Sequence, residues 1–201
     1  MRRGAAPAPR LTVVAGGLAN PRQLSVAADG ALYVADAGNG GCAPCATDAE
    51  TKQPICLGPT GSVLRIQGGR TTTVVGGLPS VASADGQQAS GPADVVAVGN
   101  RLAVVVQDTH IDARGANRFG VGGRQLGRLV LAAAGSPAER SITDFAAYEA
   151  THNPDRGAGA AKPNRIESDP YGLVAYRGGH AAATAAATIF LVDPSGRIHP
   201  L

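Results

Sequence analysis

Tryptophan is absent from this chain, and three Phe, four Tyr and one Met in 201 residues leave few large side chains to anchor a core. The core must come from Val, Leu, Ile and Ala, and burying one Val or Leu contributes only about 1.5 to 3 kcal/mol. Charge is also sparse: Asp, Glu, Lys and Arg make up 16% of the residues, with a formal net charge of +3. Beyond Arg2 and Arg3 no basic run, and no interleaving of basic and aromatic residues, builds the stripe that neutralises phosphates, which argues against nucleic-acid binding. The longest uncharged apolar stretch, 181–192, is mostly Ala and Thr and falls short of the roughly 20 residues of a membrane span. Residues 1–10 carry the charge of a signal n-region, but 4–9 lack its apolar h-region; this segment is expected to be a disordered terminus without a standard export signal.

What is plentiful is Gly, at 28 residues, and Pro, at 14, which favours many turns and short strands over long helices. An internal repeat organises them. Asn20-Pro21-Arg22-Gln23-Leu24-Ser25-Val26 leads through Asp29-Gly30 into Ala31-Leu32-Tyr33-Val34-Ala35-Asp36, a strand, a turn and a second strand with period-2 alternation. The pattern returns at Gly91-Pro92-Ala93-Asp94-Val95 with Arg101-Leu102-Ala103-Val104-Val105-Val106, and again at Asp169-Pro170-Tyr171-Gly172-Leu173. The three prolines are 71 and then 78 residues apart.

Each copy continues into two further strands: 62–66 with 71–75, 127–131 with 141–144, and 188–192 with 196–199. Four strands per unit, opened by Pro and closed by Gly turns, is the anatomy of a β-propeller blade. The spacing exceeds the usual period of about 40 to 50 residues, so insertions are expected, at 38–60, 108–125 and 148–168. Only 143–152 reads as a short helix, ended by Asn153-Pro154. The fold expected is therefore all-β, a partial propeller over 11–201 with blades at 19–78, 91–145 and 169–201. The third blade is degraded, because 180–187 is nearly all Ala and weak in strand propensity. Residues 11–18 repeat the sequence of 72–78 and read as a closing strand for a final blade. Three blades are fewer than the usual 4 to 8, so a second copy joined by a twofold would be one way to close the ring.

Cys42, Cys45 and Cys56 lie together in the first insertion and admit three readings. A Cys45–Cys56 disulfide would close a loop of a dozen residues and imply an oxidising compartment. The Cys42-Ala43-Pro44-Cys45 spacing is that of a redox motif, but no helical period follows it. A zinc site would have to recruit His110 or His152 from far along the chain.

Several stretches together resemble the ScyD/ScyE family of bacterial proteins: 13–38, the Cys insertion ending in Gly58-Pro59-Thr60-Gly61-Ser62-Val63, Gly76-Gly77-Leu78-Pro79-Ser80, Gly91-Pro92-Ala93-Asp94-Val95, and Ala147-Tyr148-Glu149-Ala150-Thr151-His152-Asn153-Pro154-Asp155. The resemblance covers most of 11–201. It implies a secreted, six-bladed propeller related to the NHL and sugar-lactonase-like group, of which this chain spans about half. It also implies a disulfide between Cys45 and Cys56, with Cys42 extra, and carries no catalytic residues.

Propeller functions sit where first strands and connecting loops ring the central channel. Asn20, Asp94 and Asp169 at the blade starts are weak candidates for metal ligation, and Asp36, Asp108 and His110 after second strands are candidates for facing a ligand. Oxygen ligands from several blades would suit Ca²⁺, yet no D-x-D-x-D-G loop is present and no cofactor is expected; Asp and Asn also serve as turn and strand-end caps. His110 and His152 fall in polar insertions and read as surface residues. Gly120-Val121-Gly122-Gly123-Arg124 lacks the Lys-Ser/Thr of a phosphate loop and reads as a plain insertion. The function expected is an extracytoplasmic binding module for a small molecule, glycan or protein, without catalysis. The alternatives are a Ca²⁺-assisted lactonase-like hydrolase, which needs metal-activated water and a carboxylate base, and a fragment of a longer propeller with no function of its own.

Overall fold

The computed structural model describes residues 10–48, 51–107, 117–135, 139–154, 169–184 and 188–200, so most of the terminal segment 1–10 lies outside it. The protein is mostly β, and its described strands form three separate antiparallel sheets. The first holds β1 (Pro21–Val26), β2 (Leu32–Asp36), β3 (Cys45–Thr47), β4 (Pro54–Gln67) and β5 (Arg70–Ser83). Its order is β1-β2-β4-β5, with β3 alongside the first half of β4. The second sheet is a meander of β6 (Pro92–Val98), β7 (Arg101–Val106), β8 (Arg128–Ala133) and β9 (Glu139–Asp144). The third is a meander of β10 (Pro170–Tyr176), β11 (Gly179–Thr184), β12 (Ile189–Val192) and β13 (Ile198–Pro200). Among the described residues no sheet closes on itself.

Each sheet opens at a repeat proline, where the missing N–H costs nothing because the strand is the first of its sheet. The β1–β2 turn follows from its residues: Gly30 takes φ 77°, and the Asp29 carboxylate accepts the Ala31 N–H at 3.1 Å. Side chains of successive strand residues point to opposite faces, and this packs the sheets face to face. Leu102, Val104, Val106 and Val130 of the second sheet join Tyr33, Ala35, Val63 and Val75 of the first in one core. Ala103, Val105 and Leu129 meet Leu173, Ala182, Phe190 and Val192 of the third in another. The middle sheet is thus covered on both faces, which is why β7 reads as an almost unbroken apolar run.

Beyond the first sheet, Ala15 and Leu18 rest on Val34, Leu64 and Ile66. Residues 11–18, expected as a closing strand, belong to no ladder, and Leu11, Val13 and Val14 are exposed. At the other end of the stack Val174, Tyr176 and Ile189 are exposed on the third sheet.

Two expectations are corrected. The Ala-rich second strand of the third unit is not degraded over its described part: β11 pairs with β10 on one side and β12 on the other. Small side chains suit a site between Leu173 and Phe190, and two ladders override the low propensity of Ala. The Cys insertion 38–60 is not a plain loop either. β4 and β5 run past the sheet as a long two-stranded ribbon, absorbing Gly58-Pro59-Thr60-Gly61 as an irregularity in register, and β3 adds a third strand to it. The expected helix is present as α1 (Phe145–His152), with Asp144 capping the Ala147 N–H at 2.9 Å and Asn153 closing it at φ 39°.

Candidate functional site

The first strands of the three sheets lie together, with β6 in contact with both β1 and β10. The repeat explains the chemistry at this junction. Gln23 and Asp94 hold the same position in their copies, two residues after the proline, and both reach the first strand of the third copy. Gln23 Nε2 donates to the Tyr171 carbonyl at 2.6 Å, and Asp94 Oδ2 accepts the Leu173 N–H at 2.8 Å. The third copy has Gly172 at this position, and a Cβ there would lie 3.9 Å from Gln23 Nε2.

The described carboxylates singled out in the sequence join segments of the chain, Asp94 and Asp36 through main-chain donors and Asp169 through a side-chain donor. Asp94 is buried and also accepts the Val95 N–H at 2.7 Å; burial pushes its carboxyl above the ordinary value, against the opposing pull of those two N–H groups. Asp36 is buried at the end of β2, with Oδ2 accepting the Ala19 N–H at 3.0 Å. Its Oδ1 is sealed from water without a partner among the described residues, and burial raises this carboxyl too. Asp169 Oδ2 accepts from Gln107 Nε2 at 3.0 Å. Asn20, at φ 61°, is held by its Nδ2, which faces the Gly38 and Gly86 carbonyls, each at 2.8 Å, and Asn39 Oδ1 at 3.1 Å. These four residues act as ties between segments. Among the described residues no three of His, Cys, Asp or Glu gather where a metal ion could sit, so Asp94 and Asp169 do not share such a group.

Asp108 and His110 lie outside the described residues. His152 is exposed, stacked on the Tyr148 ring at 4.0 Å, with Nδ1 2.7 Å from Thr151 Oγ1. Gly120–Gly123 forms one 3₁₀ turn.

Cys45 and Cys56 face each other across the β3–β4 ladder and are joined as a disulfide, leaving Cys42 as an exposed thiol. This bond fastens one wall of a concavity of about 480 Å³. Pro44, Leu57, Pro59 and Pro79 line it from the ribbon, and Val121 and Arg124 from the turn opposite. Glycine makes the close approach possible: a Cβ at Gly58 would collide with the backbone of Gly40 and Gly41, and one at Gly122 would stand 2.9 Å from Leu57 Cδ2. Sequence reading missed this groove because its walls come from four segments. The clue that was available is the Pro-Gly richness of the insertion, which signals close backbone crossings as well as loops.

A second concavity, of about 360 Å³, opens between the second and third sheets at the turns that join their first two strands. The chain matches no known family model and no curated protein.

Proposed function

We infer that this protein is an extracytoplasmic binding module of β-propeller type, of the kind its ScyD/ScyE resemblance implies, and that it works by holding a ligand without transforming it. Three Pro-opened antiparallel sheets packed face to face, two of them four-stranded meanders and the first a meander with β3 added, and with their first strands side by side, support the propeller reading. The observation that carries the binding reading is the groove beside the disulfide ribbon. A concavity with mostly apolar walls and a few polar groups is the usual form of a ligand site, and a covalently fastened wall keeps it open before the ligand arrives. The disulfide itself suits an oxidising compartment. The ligand is a small molecule, a glycan or a segment of another protein.

A second copy would complete the ring. The exposed far face of the third sheet and the exposed side chains of Leu11, Val13 and Val14 are the two surfaces such a twofold would join.

Two measurements on the oxidised full chain test these statements. Light scattering after size-exclusion chromatography should give twice 20.0 kDa; a monomer at all concentrations would overturn ring closure by dimerisation. Thermal-shift screening against soluble oligosaccharides, lactones and proline-rich peptides should yield a ligand whose binding disappears in Val121→Asp. A lactone consumed rather than bound, or no ligand at all, would overturn the binding reading.

A further inference from the structure

The cavity between the second and third sheets has a different chemistry from the groove, and its walls do not depend on a closed ring. Its inner side is apolar: Ala103 is buried, and Leu131 and Ile142 are partly buried beside it. Its outer side carries two guanidinium groups, Arg101 at the start of β7 and Arg177 in the turn between β10 and β11, both exposed. Among the described residues neither has an ion pair with a carboxylate, and no Asp or Glu lines the cavity. Such an arrangement concentrates uncompensated positive charge at the mouth of an apolar hollow.

Two further features are independent of the charge. Arg177 adopts φ 46°, in the left-handed region where Gly and Asn are the easy residues, and its guanidinium lies 5.2 Å from the centre of the Tyr176 ring. Arg177 and Gly178, at φ 46° and 82°, form the two-residue hairpin turn between Tyr176 and Gly179, which sets the guanidinium at the hairpin tip beside the cavity. His180, on β11, lines the same cavity, and its Nδ1 is sealed from water with no hydrogen-bond partner among the described residues. Burial also pulls the His180 imidazole below its ordinary value, which favours the neutral ring. A neutral imidazole leaves Arg101 and Arg177 as the cations of the site.

We propose that this cavity binds a small organic carboxylate carrying an apolar body. The carboxylate meets Arg101 and Arg177, and the body lies against Leu131 and Ile142. A guanidinium fork matches a carboxylate in geometry as well as charge. A volume of about 360 Å³ falls at the lower end of small-molecule sites, which suits a compact acid and excludes a polymer chain.

Phenylacetate and its neutral isostere phenylacetamide, titrated calorimetrically into the full-length oxidised chain, separate the charge from the shape. Phenylacetate should bind at a single site, with phenylacetamide at least tenfold weaker. Arg101→Gln and Arg177→Gly should each weaken phenylacetate about tenfold; the second also relaxes the left-handed backbone, so loss of fold is not its confound. Ala175→Leu, which fills the cavity from an exposed position and keeps both arginines, should abolish binding while the far-ultraviolet circular dichroism stays unchanged. Equal binding of the acid and the amide, affinity indifferent to both arginine substitutions, or no saturable binding of phenylacetate would overturn the assignment. None of these outcomes bears on the groove beside the disulfide, where Val121→Asp is the separate test.

Discussion

The side-chain carboxylate of Asp94 on β6 accepts the main-chain N–H of Leu173 on β10 at 2.8 Å, and so ties the second sheet to the third at the first strand of each. Leu173 is itself buried in the core those sheets share, so water has little access to replace the bond. Truncation to Asp94→Ala strands two backbone donors, on Val95 and Leu173, and a buried donor left unpaired costs about 1–3 kcal/mol. Urea denaturation should show a loss in that range, with Asp94→Asn, which keeps an acceptor oxygen, losing less. Equal stability of Asp94→Ala and the parent chain would remove this tie from the account of the fold.

Asp36 sets a pH dependence. Its folded carboxyl stands above the ordinary 3.8 because burial disfavours the charged form, so in the window between the two values the folded chain holds more protons than the unfolded one. The contribution of this group is full below the ordinary value and is lost as pH rises through the folded one. Asp36→Asn cannot ionise and escapes that loss. Its stability should match the parent at low pH and exceed it at neutral pH, read from urea midpoints across the pH range; a constant difference at every pH would contradict the assignment.

The Cys45–Cys56 bond spans a sequence separation of 11, and a closed loop of that size is worth about 3 kcal/mol in the chain-entropy model. The double substitution Cys45→Ala with Cys56→Ala should lower unfolding free energy by about that amount. It should also lower the affinity of any ligand of the groove by freeing one wall. Thiol titration of the native parent should count one reactive group, Cys42.

Gly91, just before Pro92, lies where an added Cβ would collide with the Ala37 carbonyl, whereas Gly16 faces open space without a positive φ. Gly91→Ala should destabilise by about 1–3 kcal/mol through overpacking against backbone. Gly16→Ala should stay within about 0.5 kcal/mol of the parent. Thermal unfolding of the pair checks this, and a tolerated Gly91→Ala would show that the two segments are less closely packed than described.

Much of the fold could be read along the chain, because the signals were local. A proline, an alternating strand, a Gly turn and another strand recur three times, and each recurrence corresponds to the first two strands of a sheet. The helix was legible over 143–152 with its Asn-Pro stop, and its described boundaries differ from the expected ones only at the start, where Thr143 and Asp144 remain in β9. The Cys45–Cys56 pairing agrees with what the family resemblance implied. The polar residues at the sheet ends were found, but composition could not say whether they faced a ligand or the backbone. Asn20 and Asp94 turned out to be bonded to main-chain groups of distant segments.

What the sequence determined by itself was thus the succession of short strands and turns, since steric preferences at Pro and Gly and period-2 alternation act within a few residues. Only the tertiary structure decided the rest. A run of alanines became β11 because two neighbouring strands supplied its hydrogen bonds. Gly58-Pro59-Thr60-Gly61 remained within a ribbon because β5 paired on both sides of it. Arg101 and Arg177 came to one cavity because the second and third sheets stack, bringing together the corresponding turns of two successive repeats. Such outcomes depend on contacts between segments far apart in the chain, and no local pattern encodes which of those contacts will form.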